Sequence, residues 1–181
     1  MSTYVALLRA VNLGSHGRLA MADLRALVVA AGHGDVATYL QSGNVIFTSE
    51  HDDPEALAAD LGKRLADELG VDTPVMVRTG TEITGIAAHH PFQDRQSDHA
   101  RLHVAFLATE PDADRAAQLS VPEGSPEELQ LTGRQLYLHY PAGAGRSKTT
   151  AAYLEKRLGV AITARNWKTV TALADLAQQR S

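Results

Sequence analysis

The chain has 181 residues, is 44% hydrophobic and carries a formal net charge of −4 with a pI near 6.0. That length suits one domain or two small ones, and the acidic balance argues against a general nucleic-acid binder, which carries a basic excess. Without cysteine there is no disulfide framework, thiol nucleophile or cysteine-ligated metal. No signal peptide or membrane-spanning run of roughly 18 apolar residues is present, so we expect a cytoplasmic protein with no membrane partner.

The first half predicts a strand, a helix, a hairpin, a helix, a strand and a final short helix. The hairpin turn is marked by Ser42-Gly43-Asn44, because glycine and asparagine tolerate positive φ. Leu57, Leu61 and Leu65 form one apolar stripe at helical spacing. The predicted ranges are 4–11, 21–31, 36–41 with 45–48, 54–69, 74–78 and 82–88.

The second half predicts the same order of elements after a polar stretch at residues 92–100. Thr132-Gly133-Arg134 marks its hairpin turn, and the only tryptophan, Trp167, precedes the last helix as an expected core anchor. The predicted ranges are 102–108, 111–119, 128–131 with 135–140, 148–158, 160–163 and 170–179.

Strand-helix-strand-strand-helix-strand is the ferredoxin-like order, and the chain contains it twice. The sequence therefore predicts an α+β fold built by tandem duplication of a ferredoxin-like βαββαβ unit, each unit followed by an extra helix. We place the units at residues 1–91 and 101–181, joined by a linker at 92–100. The strands are apolar on both faces, so the extra helices, or one sheet meeting the other, are expected to cover the face that such a sheet leaves open.

Unusual polar residues stand where these strands end. In a ferredoxin-like sheet the first strand lies antiparallel beside the third, so the end of strand one and the hairpin before strand three share a rim. By the same reasoning the ends of strands three and four share a rim in the second half. Loops that converge on a rigid scaffold often carry function, although each of these residues is also an ordinary turn former or surface charge. The candidate ligand-binding residues are Arg9, Asn12, Ser42 and Asn44 in the first half and Arg146, Ser147, Lys148, Arg165 and Asn166 in the second.

The segment Gly145-Arg146-Ser147-Lys148 resembles a phosphate-binding loop in its context. A strand, a glycine-rich turn and a predicted helix follow one another, and amides at a helix N-terminus favour anions. A nucleotide-hydrolysing loop needs glycine directly before the lysine, and Ser147 stands there instead. The pattern leaves two interpretations open: a simpler anion-binding turn, or a helix N-cap by Ser147 with flexible glycines before it.

A cluster of histidines raises the question of metal. His89, His90, His99 and His103 lie in one short span, and a zinc site needs three or four converging ligands. If His99 begins a strand, it shares a face with Arg101 and His103, and a cation is a poor neighbour for a metal. The sequence predicts no metal site and no cofactor.

Several of these segments together resemble one family. They are Arg9-Ala-Val-Asn-Leu-Gly14, Thr38-Tyr-Leu-Gln-Ser-Gly-Asn-Val45, Ser147-Lys148 and Thr163-Ala-Arg-Asn-Trp-Lys-Thr169, together with Met21 and Leu24-Arg25. In this order they are similar to the hallmarks of a widespread bacterial family known as a conserved domain of unknown function. The resemblance covers nearly the whole chain, and Thr149 departs from the apolar residue usual there. It implies tandem ferredoxin-like units and no particular activity.

Two classes of function follow from these residues. The first is binding, or catalysis, of a small anionic ligand such as a nucleotide or phosphometabolite, with charge from Arg9, Lys148 and Arg165. For catalysis only His16 and Asp23 offer a general base, and both lack a fixed position. The second is an interaction module for RNA, single-stranded DNA or a protein, which the 5% aromatic content makes less favoured. The sequence carries no signal for an oligomeric state.

Overall fold

The computed structural model describes residues 1–12 and 18–181. The first half follows the predicted order, with most boundaries shifted by one or two residues. Its elements are β1 (Ser2–Leu8), α1 (Met21–Ala30), β2 (Gly34–Thr38), β3 (Asn44–Ser49), α2 (Pro54–Leu69), β4 (Val75–Thr79) and α3 (Gly80–Ala88). Among the described residues no helix combines the length and apolarity that crossing a membrane requires.

The second half repeats this order. Its elements are β5 (Leu102–Leu107), α4 (Ala113–Ala117), β6 (Glu128–Thr132), β7 (Gln135–His139), α5 (Ala151–Leu158), β8 (Ile162–Asn166) and α6 (Trp167–Gln178). The predicted linker contains two short 3-10 turns, Gln93–Arg95 and His99–Arg101. His99 therefore does not begin a strand, so the condition under which it would share a strand face with His103 is not met.

Each half forms its own four-stranded antiparallel sheet, with strand orders β2-β3-β1-β4 and β6-β7-β5-β8. The first strand of each half lies between the third and the fourth, as the ferredoxin-like order requires. The register pairs Leu7 with Asn44 in one sheet and Phe106 with Gln135 in the other. The α+β tandem duplication, with an extra helix after each unit, is confirmed.

The duplication extends to individual hydrogen bonds. The amide of Leu8 donates to the carbonyl of Gly43 at 2.9 Å, and the amide of Leu107 donates to that of Arg134 at 2.9 Å. At the end of each fourth strand a side chain caps the next helix. Thr79 Oγ1 accepts from the Glu82 amide at 3.0 Å, and Asn166 Oδ1 accepts from the Thr169 amide at 2.9 Å. Equivalent points of the two units therefore use equivalent chemistry.

Helices α1 and α2 pack on one face of the first sheet, and α5 packs on one face of the second. The first core joins Tyr4, Ala6 and Leu8 of β1 to the stripes of α1 and α2, and the second joins Ala105 and Leu107 of β5 to α5. Asp53 caps α2 by accepting from two amides, and Pro54 fits the first helical turn. Burying such apolar stripes supplies the main stabilisation of helices this short.

The compact units are residues Met1–Gly85 with Ala172–Ser181, and residues Ile86–Thr171. This division gives the end of α6 to the first unit, whereas the predicted boundary at 101–181 gives it to the second. The end of α6 contacts residues of the first unit. Arg180 donates to the Asp35 carbonyl at 2.8 Å, and a Cβ at Gly80 would lie 3.5 Å from Ala177.

Candidate functional site

Asn12 joins three segments at one rim of the first sheet. Its Nδ2 donates to the carbonyls of Leu19 and Gln41, each at 2.8 Å. Its Oδ1 accepts from the amide of Leu19 at 2.7 Å. The end of strand one therefore meets the hairpin before strand three, as the geometry predicts. All the hydrogen-bonding groups of this amide are engaged within the protein.

Ser42 and Asn44 are also held by internal bonds. Asn44 is fully buried, and its Nδ2 donates to the Tyr39 carbonyl at 2.7 Å and to Ser42 Oγ at 2.9 Å. The Tyr39 amide in turn donates to the Asn44 carbonyl at 3.0 Å. These side chains fix the hairpin turn, so in this structure they act as the turn formers that their residue types suggest.

The backbone at this rim holds an unusual concentration of left-handed conformations. Ala10, Asn12 and Leu40 have φ of 53°, 57° and 58°, a region that costs most residues about 1–2 kcal/mol. Gly43 has φ of 86°, and a Cβ there would lie 2.8 Å from Leu8 Cβ and Val11 Cγ2. Close packing, rather than turn chemistry alone, therefore requires glycine at this position.

Arg9 is half-exposed and lines a groove of about 250 Å³ formed with residues 70–74. Its amide donates to the Pro74 carbonyl at 3.1 Å, and its carbonyl accepts from Thr73 Oγ1. The rest of the predicted motif, Leu13 and Gly14, and the weak general-base candidate His16 lie outside the described residues. Asp23, the other weak candidate, is exposed in the first turn of α1.

In the second unit, Arg146, Ser147 and Lys148 line an open groove of about 270 Å³. Arg146 and Lys148 are exposed and flank the half-buried Ser147. The remaining lining residues are Glu123, Gly124, Ser125, Pro126, Glu127, Ala142 and Gly143. Two connections, one before β6 and one after β7, thus build this groove.

A buried carboxylate fixes the shape of the loop. Glu127, 8% exposed, accepts through Oε1 from the hydroxyl of Ser147 and, at 2.9 Å, from that of Thr149. Ser147 Oγ also accepts from the Thr149 amide at 3.0 Å, and Tyr140 donates its hydroxyl to the Thr149 carbonyl at 2.8 Å. Burial raises the pKa of Tyr140 to about 12, with a smaller contribution from Glu127.

The helix after this loop begins at Ala151 rather than at Lys148. Thr150 is its N-cap, and its hydroxyl accepts from the Tyr153 amide at 3.1 Å. The prediction of a helix over 148–158, and of Ser147 as its cap, is wrong because the Ser147 hydroxyl is used by Glu127 and Thr149. An anion at residues 146–148 would therefore meet a loop and not the first turn of a helix.

Arg165 and Asn166 are not among the residues that line the groove at 146–148. Arg165 is 7% exposed, and its Nη1 donates to Thr163 Oγ1 at 2.6 Å and to the Ala164 carbonyl at 3.0 Å. Burial lowers its pKa to about 10. Asn166 is the N-cap of α6, and Trp167 is 3% exposed, in keeping with its expected place as a core anchor. These side chains have structural partners and are not among the residues that line the groove.

Among residues 1–12 and 18–181, no three or more His, Cys, Asp or Glu side chains group closely enough to hold a metal ion. His90 is fully buried, with Nε2 3.0 Å from the His103 carbonyl and Nδ1 accepting from the Phe92 amide. Burial lowers the pKa of His90 and lowers that of His103 to about 4. His90 is a core group and His103 is half-buried, and both rings are neutral near pH 7.

Sequence reasoning missed the acidic partners in the second unit. Glu127 holds the basic loop, and Glu128 Oε1 lies 2.9 Å from His139 Nδ1. A signal was available, because a two-residue turn at Gly133-Arg134 pairs Glu128 directly with His139, as the register confirms. Nothing in the sequence marks Glu127, whose role depends on the path of the loop.

Comparison with known proteins identifies relatives but no activity. Residues 1–137 match the family described as protein of unknown function (DUF1697). The conserved bacterial protein SP0830 from Streptococcus pneumoniae is a similar solved structure, with a TM-score of 0.73 and 22% sequence identity over 97% of this chain and 98% of that chain. No curated protein sequence matches significantly. The structural likeness supports the fold alone, and the match over most of its length shows that the chain belongs to the DUF1697 family of proteins of unknown function.

Proposed function

We propose that residues 142–148 bind a small anionic ligand that carries a phosphate group, such as a nucleotide or a phosphorylated metabolite. Arg146 and Lys148 supply exposed positive charge at a groove of about 270 Å³. A guanidinium and an ammonium together suit a phosphate, because each donates several charge-assisted hydrogen bonds. Residues with internal partners, such as Asn12 and Asn166, contribute to the fold instead.

The observation that carries this proposal is a comparison of equivalent connections. The first unit joins β3 to α2 through residues 50–53, whereas the second unit joins β7 to α5 through residues 140–150. The same fold closes without the extra residues in one copy, so folding does not require them in the other. A loop that the fold does not need, and that presents two cations, is a candidate for function.

Neighbouring acidic groups reduce the positive potential of the groove without removing it. Glu127 faces inward and accepts hydrogen bonds from two hydroxyls, which offset part of its charge. Glu123 is exposed, so water screens it. We therefore expect moderate affinity that falls as salt concentration rises.

The proposal is one of binding rather than catalysis. No histidine is among the described residues that line the groove, and Glu127 is engaged by Ser147 and Thr149. A general base needs an available lone pair within reach of its substrate. We assign Arg146 and Lys148 to charge recognition and Glu127 to positioning of the loop.

The experiment is a calorimetric titration with inorganic phosphate and with a nucleoside monophosphate, on the wild type and on Arg146→Gln/Lys148→Gln. A charge-assisted contact contributes about 1.5–3 kcal/mol, so we expect affinity to fall about tenfold or more. Lys156→Gln, an exposed charge on α5 of the same unit, is the matched control and should bind as the wild type does. Equal affinity in the double variant would refute the proposal.

The alternative of a nucleic-acid module is tested in the same series. A random single-stranded oligonucleotide should bind no more tightly than the nucleoside monophosphate does. The groove has no aromatic side chain among its described lining residues on which bases could stack. Tight oligonucleotide binding that survives in Arg146→Gln/Lys148→Gln would favour a different surface and a different function.

A further inference from the structure

A chain of hydrogen-bonded polar side chains in the second unit connects the segment 92–98 to the β6–β7 hairpin. Arg95 Nη2 lies 2.8 Å from Glu128 Oε2, and Glu128 Oε1 lies 2.9 Å from His139 Nδ1. His139 Nε2 lies 3.1 Å from Gln96 Nε2. The chain continues to Asp98, whose amide donates to Gln96 Oε1 at 3.0 Å. His139 is 6% exposed, and the Phe92 ring stacks on it at 6.0 Å.

The protonation states in this chain follow from the donors and acceptors. Because the Asp98 amide is a donor, the Gln96 group facing it must be the oxygen, which turns the Gln96 amino group toward His139. His139 Nε2 must then accept, so the ring is neutral with its proton on Nδ1. That proton is donated to Glu128, and this bond, followed by Arg95, lowers the pKa of the Glu128 carboxyl.

We propose that Gln96 and His139 form a pH-sensitive link that orders residues 96–98 at neutral pH and loosens them when His139 is protonated, while Arg95 stays bound to Glu128. Protonation turns Nε2 from an acceptor into a donor, and it then faces the two donors of the Gln96 amino group. Rotating the Gln96 amide does not relieve the conflict, because its amino group would then face the Asp98 amide. Either orientation loses one hydrogen bond.

The charges around His139 determine which of its hydrogen bonds are lost on protonation and which are kept. Glu128 and Arg95 face the Nδ1 side, where a protonated ring strengthens its bond to the carboxylate. Burial lowers the pKa of His90, so that ring gains its proton at a lower pH than a free imidazole does. The hairpin contact between Glu128 and His139 is therefore kept, and the loss is confined to the Gln96 side.

The test follows hydrogen exchange of the Asp98 amide between pH 7.5 and 5, corrected for its intrinsic rate and for exchange of the Val104 amide in β5. ¹⁵N shifts of the His139 ring report its protonation in the same samples. In the wild type we expect Asp98 protection to fall about fivefold or more as His139 gains its proton. Unchanged Asp98 protection, or a ring that stays neutral down to pH 5, would overturn the proposal.

Gln96→Glu reverses the expected sign. A carboxylate accepts both from protonated His139 and from the Asp98 amide, so acidification should then maintain or raise protection of that amide. His99→Gln, which removes the exposed histidine directly after this segment, is the control and should respond as the wild type does. A loss of protection in Gln96→Glu equal to that of the wild type would show that this link is not the switch.

Discussion

The two ferredoxin-like units share their strand order and the capping of the helix after the fourth strand but lengthen different connections. The first unit joins β1 to α1 through residues 9–20, and the second joins β5 to α4 through 108–112. The reverse holds for the connection from the third strand to the next helix, which is short at 50–53 and long at 140–150. What both copies keep is needed for the fold, and what only one copy has is where function should be sought.

The two long connections also differ in what their side chains do. In the first unit the side-chain amide of Asn12 uses its nitrogen and its oxygen in hydrogen bonds to backbone groups of Leu19 and Gln41. In the second unit Glu127 holds the inside of the loop, and Arg146 and Lys148 are left exposed. The Asn12 amide ties segments together, while Arg146 and Lys148 present charge to solvent.

Among the substitutions that test this comparison, the largest loss of stability is expected at Gly43. Gly43→Ala places a Cβ 2.8 Å from Leu8 Cβ at φ of 86°, so overpacking and backbone strain together should lower the free energy of unfolding by about 4 kcal/mol. Gly133→Ala, with φ of 59° and open space, should cost only about 1 kcal/mol. Urea unfolding measures both, and equal losses would show that the first rim is not packed as described.

Acidification should lower the stability of the second unit through protonation of His103. Its buried Nδ1 has no hydrogen-bond partner in the described residues, and burial lowers its pKa from 6.5 to about 4. The unfolded chain then binds more protons between these values, so stability is complete above pH 6.5 and falls as the pH drops toward 4, by roughly 3 kcal/mol.

Urea unfolding of His103→Phe at several pH values measures this contribution. The variant should lose most of the pH dependence in that window, whereas His89→Gln, at an exposed position, should retain it. An unchanged slope in His103→Phe would show that other groups control acid stability.

A smaller effect is expected at Glu127. Glu127→Ala leaves the hydroxyls of Ser147 and Thr149 without their acceptor, which should lower the free energy of unfolding by about 2 kcal/mol. Glu123→Ala, at an exposed position on the same groove, should change it by less than about 0.5 kcal/mol. Similar unfolding curves for the two variants would mean that Glu127 does not hold the loop.

The smallest effects on stability concern the caps that the units share. Thr79→Ala and Asn166→Ala each remove one acceptor at the start of a helix, and each should lower the free energy of unfolding by about 1 kcal/mol. Phosphate affinity should be unchanged in Asn166→Ala. Weakened phosphate binding in that variant would return Asn166 to the ligand site.

The sequence predicted the strand order because period and turn chemistry are local properties. Ser42-Gly43-Asn44 marked its hairpin, and Pro54 marked a helix start that the structure has at the same residue. The start of α5 was misplaced because the Ser147 hydroxyl has two roles open to it, and only the distant Glu127 decides between them. Exposure likewise separates Lys148 from Arg165, since both are simply basic in sequence while one is exposed and the other buried.

We propose that the long connection of the second unit, and not the rim of the first, is the anion site. Amide chemical-shift mapping of the ¹⁵N-labelled protein during titration with inorganic phosphate tests it most directly. We predict saturable shifts concentrated in residues 142–148, with the amides of residues 39–44 unmoved and the response absent in Arg146→Gln/Lys148→Gln. Saturable shifts centred on Arg9 and residues 70–74, or a response that survives in the double variant, would contradict the claim.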